Sequence, residues 1–170
     1  MKYRYCPLCG RKLSTKYSFD EGHVPYCDNE DMLFFDLPKP TVVIAVVKDK
    51  EILLLKQSYI FKDSKVLVSG YVSIGETVEE TVFREVKEET GIEIKDIKYL
   101  GSYAIKDKEL LMLAYMGYYK SGEIIKSPEV EGAAWVEIEN ALCQMHEDIV
   151  GKEVVNKVLE EIGYKGKIGR

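Results

Sequence analysis

A stretch of 23 residues, GYVSIGETVEETVFREVKEETGI from Gly70 to Ile92, constrains this chain more than any other part of it. Val78, Val82 and Val86 recur every four residues, which predicts a helix over Thr77–Thr90 with one apolar side. Thr77 and Glu80 have capping-box spacing at its start, and Gly91 suits a left-handed stop at its end. On another face Glu85, Glu88 and Glu89 stand at i, i+3 and i+4, so three carboxylates share one surface. Like charges at this spacing cost an isolated helix a few tenths of a kcal/mol per pair. Burial of the valine side outweighs that and holds the carboxylates in place. Fixed carboxylate oxygens suit a hard cation, Mg²⁺ or Mn²⁺. The plainer alternative is a solvated acidic face partly neutralised by Arg84.

The surrounding pattern alternates strands with helices. T-V-V-I-A-V-V and E-I-L-L-L-K-Q flank Lys48–Lys50 and read as a β-hairpin. Lys65–Ser69, Ile92–Leu100, Leu110–Lys120 and Ala133–Val136 read as further strands, and the chain is expected to be helical from about Ile138 onward. Mixed strands with a strongly polar helix among them predict an α/β sandwich. Before this, up to about Asp36, aliphatic periodicity is missing and polar and aromatic residues dominate. L-P-K-P (Leu37–Pro40) marks the boundary, because each proline stiffens the backbone before it. The expected division is therefore 1–36 and 37–170.

Of the 170 residues 46% are hydrophobic and 31% charged, the balance of a globular rather than a disordered chain. The net charge of −5 leaves no whole-molecule basic field, so nucleic acid is not an expected partner. A phosphate-bearing substrate would then need metal ions or local cations. The longest apolar runs are strand-length, so no membrane helix is expected, and M-K-Y-R-Y-C lacks the apolar core of a secretory signal. The expected location is the cytoplasm.

Cys6, Cys9 and Cys27 fall within the first 30 residues. C-P-L-C-G reads as a metal knuckle, in which proline and glycine bend the backbone so that its amides face the thiolates. A zinc ribbon wants a second C-x-x-C, but here the sequence is C-D-N-E. The fourth ligand is left among Glu30, which comes first, His23, Asp28 and Asp31, or there is none.

The segment from Gly70 resembles the Nudix box, G-x5-E-x7-R-E-U-x-E-E-x-G-U with U aliphatic, at every specified position: Gly70, Glu76, Arg84, Glu85, Val86, Glu88, Glu89, Gly91 and Ile92. The resemblance implies a Nudix α/β/α sandwich with a mixed sheet, and metal-dependent attack of water on a nucleoside diphosphate linked to another moiety. It implies Glu85 and Glu89 as core metal ligands and Glu88 as a further ligand or the water-activating base, a role it leaves open between Glu85 and Glu88. Arg84 would orient Glu85, the Ser69 carbonyl would face the metal, and Gly70 would let the loop turn. P-E-V-E-G-A-A-W-V is also similar to a family segment, which implies Glu129 as a metal ligand and leaves Trp135 to the core.

A zinc ribbon directly before such a domain resembles the NADH pyrophosphatase group. That resemblance implies structural Zn²⁺, adenine stacking at the Phe34–Phe35 pair with Phe35 as the platform, and a homodimer. The group's S-Q-P-W-P-F-P-x-S motif is replaced here by S-Y-A-I-K-D-K-E-L, from Ser102 to Leu110. Ser102 and Tyr103 would then meet the other half of the substrate, beside a polar, mobile segment. The expected function is a Mg²⁺-dependent pyrophosphohydrolase taking NAD(H)-like dinucleotides to AMP and a mononucleotide. The alternative is a non-catalytic nucleotide sensor that uses its ribbon for contacts with nucleic acid or protein.

Overall fold

The computed structural model describes residues 3–125 and 127–164. The chain separates into two compact units, Met1–Lys39 and Pro40–Arg170.

In the small unit, β1 (Ser14–Ser18), β2 (Gly22–Cys27) and β3 (Met32–Leu33) form an antiparallel sheet in that order. The C-P-L-C-G turn closes ahead of it: Gly10 N–H donates to the Cys6 carbonyl at 2.9 Å, and Cys6 N–H to the Arg11 carbonyl at 2.8 Å. Gly10 has φ +72°, a conformation that favours glycine. Among the described residues of this unit the buried apolar side chains are Cys6, Val24 and Cys27. So small a core rarely sustains a fold unaided.

From the boundary at Lys39 onward come β4 (Lys39–Lys48), β5 (Glu51–Lys56), β6 (Lys65–Val66), β7 (Val68–Tyr71), α1 (Val78–Thr90), β8 (Glu93–Ile105), β9 (Leu110–Ser121), β10 (Gly132–Glu137), α2 (Ala141–Gln144) and α3 (Ile149–Glu161). The sheet runs β10-β5-β4-β9-β8, with β6 paired to β5 and β7 to β4. Period-two alternation explains its layering. Val42, Ile44 and Val46 of β4 and Leu53 and Leu55 of β5 pack with Val82 and Val86 of α1. The intervening Val43, Ala45, Val47, Ile52 and Leu54 pack with Val154, Val155, Val158 and Leu159 of α3. A sheet so apolar on both faces must be covered twice, which gives the expected α/β/α sandwich.

Two local expectations change. β8 continues to Ile105, and a short 3₁₀ turn over Lys106–Lys108 joins it to β9, with Glu109 in the left-handed region. The segment read as a polar, mobile loop is therefore the tip of a long hairpin, because Ile105↔Leu110 pairing extends the ladder to its end. The C-terminal helical region is broken after Gln144, and α3 starts afresh with the Asp148 side chain accepting from Gly151 N–H at 2.8 Å. Among the described residues no helix is long and apolar enough to cross a membrane.

Candidate active site

The carboxylate helix is anchored at both ends and along its apolar side. Thr77 Oγ1 accepts from Glu80 N–H at 3.2 Å, while Glu80 Oε2 accepts from Thr77 N–H at 2.8 Å, closing the capping box. Such a cap is worth about 1 kcal/mol. Gly91 ends the helix at φ 75°. Val82 and Val86 are fully buried. At about 1.5–3 kcal/mol each, their burial exceeds the repulsion among the glutamates.

Arg84 organises the acidic face. Its Nε and Nη2 donate to the two oxygens of Glu76 at 2.7 and 2.9 Å. Its Nη1 donates to Glu85 Oε1 at 2.8 Å and to Glu88 Oε2 at 2.9 Å, and Nη2 also reaches the Tyr71 carbonyl at 3.1 Å. Thr81 Oγ1 donates to Glu76 as well, at 2.8 Å. The Arg84 hydrogen bonds hold the Glu76 carboxyl down to about 2, against the cost of its desolvation. The planar guanidinium is thus fully engaged, a fork geometry that lysine does not reproduce.

The three carboxylates differ in exposure. The Glu85 side chain is 12% exposed and that of Glu88 60%, while Glu89 as a residue is 5% exposed. Glu85 lies against the backbone of β7, where a Cβ on Gly70 would sit 2.0 Å from its carboxyl carbon. Gly70 is in strand geometry opposite Val42. The structure therefore requires glycine there to admit a carboxylate, rather than for the turn expected from the sequence. Ser69 is its neighbour on β7, opposite Val43.

Burial pushes the Glu89 carboxyl up to about 7, with Glu85 and Glu129 adding to the rise and Gln57 and the Ser69 backbone opposing it. Desolvation likewise raises Glu85, against the pull of Arg84. Gln57, fully buried at the end of β5, donates from Nε2 to Glu89 Oε1 at 2.9 Å. Opposite α1, Ser127 N–H donates to the Glu89 carbonyl at 3.2 Å and Ile125 N–H to the Thr90 carbonyl at 2.8 Å. This pins the loop that carries Glu129. Glu85, Glu88, Glu89, Ser127, Pro128 and Glu129 line one cleft of about 180 Å³.

Glu89 Oε2, Gln57 Oε1 and Ser127 Oγ are buried without a hydrogen-bond partner. Orphaned acceptors are costly, and their gathering at a cleft of converging carboxylates suits a hydrated divalent cation. The donor set is all oxygen, as Mg²⁺ and Mn²⁺ prefer.

Sequence reasoning missed Gln57, Ser127 and Tyr59. The signal for Gln57 was present, as an amide directly following the apolar run I-L-L-L of β5. Tyr59, two residues beyond Gln57, is 68% exposed, yet partial desolvation and the charges of Glu89, Glu129 and Glu85 push its hydroxyl up. Ser102 and Tyr103 do not line the cleft. Ser102 is exposed opposite Leu113. Tyr103, opposite Met112, packs on the α3 side of the sheet with Lys157 Nζ 5.0 Å from its ring centre. Strand alternation sends it to the face away from α1. Trp135 packs edge-on to Tyr119 at 5.8 Å within the hydrophobic cluster beneath α1.

In the small unit, the sulfurs of Cys6, Cys9 and Cys27 lie within 4.8 Å of one another, with Cys9 and Cys27 3.5 Å apart. Thiolates about 2.3 Å from a common tetrahedral ion sit about 3.8 Å apart, so the cluster fits zinc. Glu30 is not brought into it: its Oε1 accepts from Asn29 Nδ2 at 2.8 Å. Asp31 is engaged by Tyr26 and Lys16, His23 packs on Tyr17 at 5.7 Å, and Asp28 also lies outside the cluster. Phe35 is 40% exposed, and Phe34 packs against Tyr3 at 5.5 Å.

Comparison with known proteins agrees with this fold. The chain is 29% identical over 160 residues to the NAD-capped RNA hydrolase NudC of Vibrio cholerae serotype O1, covering 94% of this chain and 58% of that protein. It is 31% identical over 134 residues to the NAD-capped RNA hydrolase NudC of Escherichia coli O1:K1 / APEC, covering 78% and 51% respectively. The chain thus spans between half and three-fifths of these curated relatives. A crystal structure of a NUDIX hydrolase from Nitrosomonas europaea superposes with a TM-score of 0.78 at 16% identity, covering 100% of this chain and 97% of that one. A UDP-X diphosphatase superposes with a TM-score of 0.61 at 20% identity, covering 79% and 68%. The NUDIX domain family model matches residues 37–158, most of the chain, and the chain belongs to the NUDIX family.

Proposed function

We propose that the chain is a Mg²⁺- or Mn²⁺-dependent pyrophosphohydrolase that cleaves NAD(H)-like dinucleotides to AMP and a mononucleotide. The observation that carries this reading is the cleft itself, where Glu85, Glu88, Glu89 and Glu129 converge beside the orphaned oxygen of Glu89. Glu85, Glu89 and Glu129 are the proposed metal ligands, with Glu88 as a further one and the Ser69 carbonyl at the strand edge. Bound there, the ion supplies charge neutralisation for the diphosphate and its leaving group.

The chain's own residues do the rest. Arg84 fixes the rotamer of Glu85, and Gly70 leaves the room that Glu85 fills. Gln57 holds Glu89 from behind, and this partner sets the direction of the remaining Glu89 oxygen. Glu88 stands at the solvent side of the cleft, exposed enough to turn toward an incoming water. It takes the proton of that water as oxygen attacks phosphorus and the phosphoanhydride bond breaks, the leaving phosphate departing with the bonding pair. Glu85 is the other candidate for this base, and comparison of Glu88→Gln with Glu85→Gln separates the two.

The dinucleotide assignment is supported by the two relatives named as NAD-capped RNA hydrolases, and Phe35 is the proposed adenine platform. Zn²⁺ at Cys6, Cys9 and Cys27 is the proposed structural metal. The test is a panel of NADH, NAD⁺, ADP-ribose, FAD, a nucleotide sugar and NAD-capped RNA, with products identified. The expected result is AMP from the adenine dinucleotides, with less than about tenfold discrimination among them, since the aromatic and proline lining of the missing motif is absent. Phe35→Ala should raise KM for all adenine substrates together, as loss of stacking worth about 1–3 kcal/mol requires. Activity confined to a non-adenine substrate would overturn the assignment.

A further inference from the structure

We infer that Cys6, Cys9 and Cys27 form a three-thiolate zinc centre whose fourth coordination position is open to an exchangeable ligand, water at rest and a small-molecule thiol when one is present. The inference rests on the zinc reading of these thiols and goes beyond it, because a structural ribbon closes its metal with four protein ligands.

Three observations carry it. First, the thiols converge, all within 4.8 Å, and the 3.5 Å between Cys9 and Cys27 is far beyond a disulfide bond. Second, among the described residues no fourth donor of the small unit joins them. Position 30, where a second C-x-x-C would place its cysteine, holds Glu30, whose carboxylate is bound by its neighbour Asn29. Asp31 is held by Tyr26 and Lys16, and His23 by Tyr17. Third, the burial is lopsided. Cys6 and Cys27 are 2% and 1% exposed, but Cys9 is partly exposed, and Leu8 beside it is largely so. The accessible side of the cluster is thus the Cys9 side, at the outer tip of the knuckle. Zinc bound by three protein ligands with an accessible fourth position is the coordination of exchangeable sites rather than closed ones. A thiolate suits the vacant position because it matches the softness of the other three donors. It binds as the anion, and its proton passes to solvent as it displaces the water.

The experiment uses the full chain, first as the zinc form and then with Co²⁺ in place of zinc. Metal analysis should give one zinc per chain. X-ray absorption should give three sulfurs at about 2.3 Å and one light atom at about 2.0–2.2 Å. Glu30→Gln and His23→Ala should leave that shell unchanged. In the Co²⁺ form, 2-mercaptoethanol should shift the visible d–d bands and raise the thiolate-to-cobalt charge-transfer intensity by about one third, from three sulfurs to four. Glu30→Gln should respond in the same way. A chain that binds no zinc overturns the zinc reading itself. A chain that binds zinc with four sulfurs or an imidazole signature, loses the light atom in Glu30→Gln, or shows no response to added thiol has a closed site, which overturns this inference alone.

Discussion

The carboxylate cleft and the cysteine cluster are both sets of proposed ligands converging on a point, yet they stand on opposite foundations. The glutamates project from a helix seated on a large core, with Val82 and Val86 fully buried against β4 and β5. The helix keeps its place with or without an ion. The cysteines belong to a unit whose buried apolar side chains, among the described residues, are Cys6, Val24 and Cys27, two of the three being proposed ligands themselves. In the large unit the fold positions the proposed ligands; in the small unit the proposed ligands, once metal-bound, would supply the fold. Removing a ligand should therefore remove chemistry from the first region and structure from the second.

The largest expected effect lies in the cleft. Glu89→Gln should lower kcat by at least about 10³-fold, as loss of several kcal/mol of transition-state stabilisation implies, with the circular dichroism spectrum unchanged. Turnover near the wild-type value at saturating Mg²⁺ would remove Glu89 from the site.

The converse applies to the cysteines. Stripping zinc, or Cys6→Ser, should accelerate amide exchange across β1–β3 by at least about 100-fold, the loss of roughly 3 kcal/mol of local protection. The ladders of β4 and β5 should keep theirs. Simultaneous loss of protection in both units would break the contrast.

A smaller effect is expected from Gln57→Leu, which keeps the volume but removes the amide behind Glu89. The Mg²⁺ concentration for half-maximal rate should rise about 10–100-fold, with a lesser change in kcat once the ion saturates. An unchanged Mg²⁺ dependence would show that the Gln57–Glu89 contact does not position the carboxylate.

The smallest is a pH effect in metal-free protein. Glu89 rises from 4.5 to about 7 on folding, so the folded state favours its protonated form. That contribution is fully present below pH 4.5 and is lost as pH rises through about 7. Metal-free Glu89→Gln should thus be more stable than wild type at pH 8, by about 1–3 kcal/mol in denaturant unfolding. At pH 4 the two should be alike. Equal stability at both pH values would mean that Glu89 is not strained by burial.

What was legible in the sequence was local. The valine period, the Thr77–Glu80 box, the Gly91 stop and the shared face of Glu85, Glu88 and Glu89 all lie within one helix and follow from its geometry. The unbroken apolar run of β4 was readable as a strand of a hairpin, and its burial on both faces came from the structure. What escaped were contacts set by strand pairing. Gln57 meets Glu89 across 32 residues, and Tyr115 donates to Glu79 at 2.9 Å across 36. Tyr103 was placed by its position in the chain, whereas its register opposite Met112 decides which face it takes. The role of Gly70 was misread for a similar reason, since its need for glycine comes from Glu85, fifteen residues away, rather than from its own backbone.

The most direct measurement is the initial rate of NADH hydrolysis by the full chain as Mg²⁺ is titrated from a chelated start, with zinc left in place. The account predicts no turnover without Mg²⁺ and a saturable rise with AMP as product. It also predicts a curve shifted to higher Mg²⁺ by Gln57→Leu and flattened by Glu89→Gln. Turnover that does not depend on added divalent ion, or that survives Glu89→Gln, would contradict it.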